Sequence, residues 1–267
     1  MSDASPPFKT LLVERAGEVE RLTLNRPARM NSVTMTMVTE LNAYFSSLVS
    51  RPDVRVVTMT GAGRGFCAGM DIFETLEPDG LLRNAFEDRG EPGLDGVIKA
   101  IRRAPQPVIA LVNGPAVGAG LIFALAADLR LAAPTALFKT GFVKLGASGC
   151  ELGVSYLLPR VISTGAAAEM IFTGRAVAAE RALALGLVSE VAPAGGLEAL
   201  GAAYAAEMLE ASPLGLRRTK ETFHLCLDIN SLDGVMAAEY ATQIRLAGAD
   251  HRERLAAFRA THGKSGG

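Results

Sequence analysis

Residues 61–71 read GAGRGFCAGMD, and residues 113–120 read NGPAVGAG. Each stretch follows an apolar run typical of a buried strand, at residues 54–60 and 107–112, and each precedes a helical pattern. Glycine at such turns leaves main-chain N–H groups accessible, and two of these donors can hold one carbonyl oxygen while it gains negative charge. The two stretches therefore predict an enzyme that acts on an activated acyl group, such as a thioester.

Other interpretations of the first stretch fit less well. A dinucleotide-binding fingerprint needs a third glycine where Phe66 stands, and no Gly-Lys-Ser or Gly-Lys-Thr follows to complete a phosphate-binding loop. A plain strand-to-helix turn is the alternative for either stretch alone. The presence of both stretches favours a shared ligand site.

The composition is that of a globular protein. Of the 267 residues, 49% are hydrophobic and 21% are charged, which is enough apolar material for a large core. The net charge of -1 and the pI near 6.3 give no basic field, so we expect neither nucleic acid nor a membrane surface as a partner. Because no apolar run approaches the length of a membrane span and residues 1–8 lack the layout of a secretory signal, a cytoplasmic protein is expected.

Cysteine and histidine are few and widely spaced. Cys67, Cys150 and Cys226 predict small buried thiols in a reducing compartment rather than a disulfide framework. The three histidines lie near the end of the chain, far from any second ligand at metal spacing. We therefore expect no metal site and no Ser-His-Asp triad.

Strand, glycine turn and helix patterns repeat through the first part of the chain. They predict a hairpin over residues 9–24, a helix that begins after Thr34, and a helix over residues 94–103, preceded by a mobile surface loop at residues 78–92. The repeated units indicate stacked sheets flanked by helices rather than a single open sheet. We predict two regions: residues 1–195 form the core that carries the site, and residues 196–267 form a helical region that packs on another subunit.

Five segments give the sequence its resemblance to the crotonase, or enoyl-CoA hydratase/isomerase, superfamily. They are LNRP at residues 24–27 with Asn31 shortly after, FCAGMD at 66–71, NGPAVGAG at 113–120, LLPR at 157–160, and TGR at 173–175 followed by ALGLV at 184–188. The resemblance implies an α/β fold, a crotonase-like spiral of ββα turns with a helical C-terminal region, assembled as a homotrimer or a hexamer. It also implies an acyl-CoA thioester as the substrate, so that coenzyme A is part of the substrate and no separate cofactor is expected.

The resemblance assigns roles to residues by their place in these motifs. It places two oxyanion donors on the main-chain N–H groups of Met70 and Ala119; many members have glycine at position 119, and alanine is tolerable there if its φ is negative. The residues expected to bind coenzyme A are Ala28 and Arg29 at the adenosine end, Arg64 near the phosphates, and Ala68.

The acid–base group is where the sequence departs from a standard hydratase. Hydratases of this family use two glutamates, and the matching positions here hold Ile122 and Phe142. The acid left in this region is Glu151, at a position where other members, including some 3,2-enoyl-CoA isomerases, carry a catalytic Asp or Glu. If Glu151 faces a pocket lined by Ile122 and Phe142, desolvation raises its pKa toward neutrality. A carboxylate that only stabilises the start of a helix is the alternative.

The favoured reaction is double-bond isomerisation, in which Glu151 alone moves a proton between the α and γ carbons of an enolate. The close alternative is an enoyl-CoA hydratase that converts 2-enoyl-CoA to 3-hydroxyacyl-CoA with a differently recruited water. A catalytically silent acyl-CoA-binding homologue is a further alternative. RNA binding, as in one branch of the family, is disfavoured by the acidic pI.

Overall fold

Nine strands form two sheets in the part of the chain that the computed structural model describes, residues 8–75 and 93–262. They are β1 (Leu11–Ala16), β2 (Val19–Leu24), β3 (Val56–Gly61), β4 (Val108–Val112), β5 (Pro115–Val117), β6 (Leu129–Ala132), β7 (Leu137–Lys139), β8 (Val177–Ala178) and β9 (Glu190–Val191). The larger sheet has the order β1-β2-β3-β4-β6-β9, and the smaller has the order β5-β7-β8. Beyond the antiparallel β1–β2 hairpin, all pairs in the larger sheet are parallel.

Eleven α-helices are present in the described residues. They are α1 (Met35–Ser47), α2 (Ile72–Thr75), α3 (Leu94–Arg103), α4 (Ala119–Ala126), α5 (Val154–Val161), α6 (Thr164–Thr173), α7 (Ala179–Leu185), α8 (Leu197–Leu209), α9 (Pro213–Cys226), α10 (Leu232–Leu246) and α11 (Ala249–His262). Three 3₁₀ turns occur at Pro27–Arg29, Leu48–Ser50 and Phe142–Leu145.

The central strands and helices follow the predicted pattern. Every residue of β3 and β4 is buried, as expected of parallel strands covered on both faces, and the predicted hairpin is β1–β2. Thr34 caps α1 as predicted, because its Oγ1 accepts a hydrogen bond from the Met37 N–H at 3.2 Å. All eight residues of α4 are buried, so this helix lies within the core. The predicted α/β class is confirmed.

The structure differs from the prediction in the second glycine stretch. Its residues Pro115–Val117 form β5, which pairs in parallel with β7. A strand of three residues is too short to give a periodic apolar signal, so sequence alone predicts a loop here. The segment predicted as a mobile loop, residues 78–92, lies outside the described residues.

The chain divides into two compact units, Met1–Ala206 and Glu207–Gly267. The predicted division into regions 1–195 and 196–267 stays a prediction. Helix α8 makes specific contacts with the first unit. Arg21 pairs with Glu198 at 2.8 Å, and the Tyr204 hydroxyl bonds to Glu190 at 3.1 Å. Most of α8 therefore belongs to the first unit, whereas the proposed role of the C-terminal region in subunit contacts stays a prediction.

The second unit holds the helices α9, α10 and α11. Helices α9 and α10 are joined by a hydrogen bond of 2.7 Å between the hydroxyls of Thr222 and Thr242. Large apolar side chains stay exposed on this unit, among them Phe223, Tyr240 and Ile244. Among the described residues, no helix combines the length and the apolar character that crossing a bilayer requires.

Candidate active site

The N–H group of Met70 is left without an acceptor by the way its segment pairs. The Val33 N–H donates to the Gly69 carbonyl at 2.8 Å, and the Asp71 N–H donates to the Val33 carbonyl at 2.9 Å. Because successive N–H groups along an extended chain point to opposite sides, the Met70 N–H is directed away from Val33. No described residue accepts a hydrogen bond from it.

Asp71 fixes this segment through its side chain. Its carboxylate accepts hydrogen bonds from Arg26 at 3.0 Å and from the Ser32 hydroxyl at 3.1 Å. Burial by itself would raise the pKa of Asp71, but these hydrogen bonds hold the pKa below its ordinary value of 3.8. The ionised carboxylate therefore anchors the chain directly after Met70.

The second predicted donor, Ala119, is the first residue of α4. The N–H groups in the first turn of a helix have no acceptor within the helix, and no other described residue accepts from Ala119. Ala119 does not have a positive φ, which meets the condition for alanine in place of glycine. The positive end of the helix dipole adds to the attraction for a negatively charged atom at this N–H.

Gly69 brings the two donors together. A Cβ atom at this residue would lie 2.9 Å from the Val117 carbonyl oxygen and 3.8 Å from the Ala119 nitrogen, and its φ is +94°. Only glycine permits both the close approach and this backbone conformation. Gly69, the residue before Met70, therefore lies against Val117 and close to the Ala119 nitrogen, which places the two unpaired N–H groups near each other.

A cavity of about 530 Å³ opens at this site. Its lining is mostly apolar, and among the described lining residues Glu151 supplies the only carboxylate. The lining residues are Ala68, Gly69, Met70, Ile72, Val117, Gly118, Thr140, Gly141, Phe142, Leu145, Ala147, Ser148, Cys150 and Glu151. Ala119 itself is fully buried next to Gly118 in the chain. The structure thus gathers Met70 and Glu151 around one space.

Glu151 is half-buried and makes no ion pair or side-chain hydrogen bond with any described residue. Burial raises the pKa of its carboxyl group above the ordinary value of 4.5. It lies two residues before Gly153, the N-cap of α5, and the first turn of that helix contains no acidic residue. Glu151 therefore lies outside the first turn of α5, and its role as a helix-stabilising carboxylate stays an alternative.

The two positions that lack glutamate differ in their surroundings. The Phe142 ring lines the cavity, and its Cε1 atom would lie 3.4 Å from a Cβ atom at Gly118. Ile122, in contrast, is fully buried in the hydrophobic core and does not line the cavity. The expectation that both residues line the pocket was therefore wrong for Ile122, because its side chain packs among core residues instead.

The residues expected to bind coenzyme A lie around Met30. The Arg64 Nε atom is 3.1 Å from the Met30 sulfur, and the Ala68 N–H donates to the Met30 carbonyl at 2.9 Å. Ala28, Arg29 and Arg64 are exposed, and the Arg29 guanidinium lies 5.4 Å from the centre of the Phe73 ring. Of these residues only Ala68 lines the cavity, so their contact with coenzyme A stays a prediction.

The cysteines differ from the prediction of small buried thiols. All three are free, but only Cys67 is buried, whereas Cys150 is exposed and lines the cavity. Cys226 is partly exposed. In the described parts of the chain, no three His, Cys, Asp or Glu residues lie close enough together to hold a metal ion.

Two asparagines support the first glycine stretch, although no structural role was predicted for either. The Asn31 amide donates to the carbonyls of Ala62 at 2.9 Å, Gly65 at 2.8 Å and Phe66 at 3.2 Å. The Asn113 amide donates to the carbonyls of Gly61 at 2.9 Å and Gly63 at 3.0 Å. The signal that could have found them is an amide beside a glycine-rich turn, where free carbonyls need donors.

Removing the Asn31 amide is expected to destabilise this part of the fold. Because the side chain is fully buried, Asn31→Ala leaves buried carbonyls without a donor, which should lower the free energy of unfolding by about 2–4 kcal/mol. Urea unfolding measures this change. The control is Asn25→Ala, whose side chain has no hydrogen bond to a described residue and which should cost less than about 0.5 kcal/mol. Equal losses in the two variants would contradict the role of Asn31.

The chain is similar to several known proteins in sequence and in structure. Residues 14–262 match the family model described as enoyl-CoA hydratase/isomerase. The Mycobacterium tuberculosis protein named "Probable enoyl-CoA hydratase EchA12" is 43% identical over 245 residues, which cover 90% of this chain and 86% of that protein. An enoyl-CoA hydratase structure from Bacillus anthracis superposes with a TM-score of 0.88 at 30% identity, covering 95% of this chain and 97% of the other. A monofunctional enoyl-CoA isomerase from Mycobacterium smegmatis is 41% identical, with a TM-score of 0.73 and coverage of 85% and 98%.

Proposed function

Since the chain belongs to the enoyl-CoA hydratase/isomerase family, we propose that it isomerises the double bond of an enoyl-CoA thioester, with Glu151 as its single acid–base group. One observation carries this proposal. A half-buried carboxylate without an ion-pair partner faces the same apolar cavity as Met70, and the other described lining residues supply no second carboxylate.

The first step removes a proton from the α carbon of a 3-enoyl-CoA. Glu151 takes this proton, and the electron pair of the broken C–H bond moves into the thioester, whose oxygen becomes negatively charged. The N–H groups of Met70 and Ala119 form the oxyanion hole that stabilises this dienolate, and the dipole of α4 adds to the effect. Removing one such donor from an oxyanion hole typically costs about 10²–10³ in kcat.

The second step returns the same proton to the γ carbon. The electron pair of the β–γ double bond forms the new C–H bond at the γ carbon. The double bond between the carbonyl carbon and the α carbon shifts to lie between the α and β carbons, and the electron pair on the oxygen restores the thioester carbonyl, which gives a 2-enoyl-CoA. One carboxyl group is enough for both steps if it lies over one face of the dienolate. The raised pKa of Glu151 suits this role, because a stronger base is better matched to taking a proton from carbon.

Hydration of a 2-enoyl-CoA is the second candidate, and the names of the Mycobacterium tuberculosis and Bacillus anthracis relatives favour it. Hydration needs a water held between an acid and a base. Phe142 stands at one of the two positions where hydratases of this family carry these groups, and its ring lines the cavity without an acid–base group for a water there. The absence of a second carboxylate among the described lining residues therefore favours isomerisation.

Product analysis tests the proposal. The enzyme is incubated separately with a 3-enoyl-CoA and a 2-enoyl-CoA, and the products are separated by chromatography. We expect 2-enoyl-CoA from the first and little 3-hydroxyacyl-CoA from either. Dominant 3-hydroxyacyl-CoA would establish the hydratase instead, and thermal stabilisation by acyl-CoA without turnover would establish a silent binding protein.

The isomerase rate should depend on pH through Glu151. The group acts first as a base, so it must be ionised in the free enzyme, and kcat/KM should rise as pH increases through its pKa. Because burial raises that pKa, the rise should lie above the ordinary glutamate value of 4.5. A pH–rate profile with 3-enoyl-CoA measures it. A rate that stays constant down to pH 4.5 would contradict this expectation.

The remaining expectations complete the proposal. Coenzyme A enters as part of the substrate, and the reaction needs no separate cofactor or metal. The exposed apolar side chains of the second unit support association into a homotrimer or hexamer, which light scattering on the purified protein would detect. We place the enzyme in the cytoplasm.

A further inference from the structure

The loop that carries Glu151 rests on α6 at Gly149. A Cβ atom at Gly149 would lie 2.7 Å from the Ile171 carbonyl oxygen and 2.9 Å from its Cγ2 atom, closer than real Cβ contacts allow. The φ of Gly149 is not positive, so the backbone conformation does not demand glycine. Glycine is needed here because of the contact with Ile171.

The last turn of α6 is a firm support for this contact. Ile171 and its neighbour Met170 are buried in the hydrophobic core. The hydroxyl of Thr140, which lines the cavity, donates to the Met170 carbonyl at 2.9 Å. The same turn of helix therefore holds one wall of the cavity and the loop on which Glu151 lies.

Between this contact and Glu151 the loop is held by its own backbone. The Cys150 N–H donates to the Ser148 hydroxyl at 3.1 Å, and the Val154 N–H donates to the Glu151 carbonyl at 3.0 Å. Gly149 and Glu151 are two residues apart, so their Cα atoms are separated by at most about 7 Å. Because the Glu151 carboxylate has no polar partner among the described residues, the path of this loop is a main determinant of where it points.

We propose that Gly149, together with the Ser148–Cys150 hydrogen bond, is a positioning element that holds the Glu151 carboxyl group inside the apolar cavity. The inference rests on the proposed function. Among the described lining residues, Cys150 is the only titratable side chain besides Glu151, so few groups can influence its protonation. Burial is the only cause of the raised pKa of Glu151. A displaced loop should therefore change both the rate and the pH dependence.

The test is Gly149→Ala with a 3-enoyl-CoA as substrate. The added methyl group must push the loop away from the Ile171 carbonyl, and a displacement of about 1 Å can cost up to about 100-fold in rate, so we expect kcat to fall about 10- to 100-fold. KM should change less than about twofold, because the residues proposed to bind coenzyme A lie outside this loop. The acidic limb of the pH–rate profile should move toward lower pH, because the displaced carboxyl group is better hydrated.

The control is Gly165→Ala, on α6, the helix that Gly149 contacts through Ile171. A Cβ atom there has no neighbour within 4 Å and φ is not positive, so kcat and the pH profile should stay as in the wild type. If Gly149→Ala does not fold, Ser148→Ala takes its place and should shift the acidic limb in the same direction, with a loss in kcat of about threefold.

Each outcome decides one question. A folded Gly149→Ala variant with wild-type kcat and an unmoved acidic limb overturns the positioning role, and so does an unmoved limb in Ser148→Ala if the first variant does not fold. Such a result leaves the proposed function intact provided that Glu151→Gln is inactive. Activity retained in Glu151→Gln overturns the proposed function itself.

Discussion

Glu151→Gln is expected to lower kcat for a 3-enoyl-CoA by about 10³-fold, within the 10²–10⁴ range that a positioned acid–base group contributes. Glutamine keeps the shape of the side chain but cannot take up a proton from carbon. Because the Glu151 carboxylate forms no ion pair or hydrogen bond with a described residue, its replacement should leave the free energy of unfolding nearly unchanged. Steady-state kinetics and urea unfolding together measure both quantities.

The control for this variant is Glu180→Gln. Glu180 is an exposed glutamate in the first turn of α7, outside the cavity, so its replacement should leave kcat unchanged. Binding of a saturated acyl-CoA to Glu151→Gln, measured by calorimetry, shows whether the site is still formed. A Glu151→Gln enzyme within tenfold of the wild type would exclude Glu151 as the acid–base group.

Gly120→Ala is expected to separate the two oxyanion donors. A Cβ atom at Gly120 would lie 2.2 Å from the Cys67 carbonyl oxygen and 2.8 Å from the Cys67 Cβ, so α4 would have to move away from the first glycine stretch. Since Gly120 follows Ala119 directly and Cys67 precedes Met70 by three residues, this movement widens the distance between the two N–H groups. A displacement of about 1 Å can cost up to about 100-fold in rate, so we expect kcat to fall about 10- to 100-fold.

The same substitution should also lower the free energy of unfolding, by about 1–3 kcal/mol, because the methyl group overpacks a buried contact. Gly165→Ala is the matched control, since Gly165 is the second residue of α6 as Gly120 is of α4, but has free space around it. Kinetics and urea unfolding on both variants provide the comparison. Normal turnover in a folded Gly120→Ala enzyme would show that the packing of α4 against Cys67 does not set the donor geometry.

The sequence predicted those parts of the fold that depend on local patterns. The buried strands β3 and β4 appear as apolar runs, and Thr34 appears as a helix cap, because burial on both faces and capping chemistry leave a signal within a few residues. The short strand β5 left no such signal. The contacts of α8 with the first unit join residues far apart in the chain, so local patterns do not reveal them.

Part of the candidate site could also be predicted from the sequence. The resemblance placed Met70, Ala119 and Glu151 in one region, and the structure brings their segments together, but their catalytic roles stay predictions. Ile122 was wrongly expected in the pocket, because the face that a helical residue presents depends on the packing of the whole helix. The contact of Gly149 with Ile171 could not be predicted, since it depends on how two distant segments pack.

The side-chain amides of Asn31 and Asn113 donate hydrogen bonds to several carbonyl groups of the first glycine stretch. Both amides take up carbonyl oxygens of this stretch, so its partially negative atoms are neutralised on one side, while the Met70 N–H remains without an acceptor among the described residues. The N–H groups of Met70 and Ala119 are neutral donors that do not titrate and require no buried cation. Their attraction for a developing anion should therefore persist across the whole pH range in which the protein stays folded.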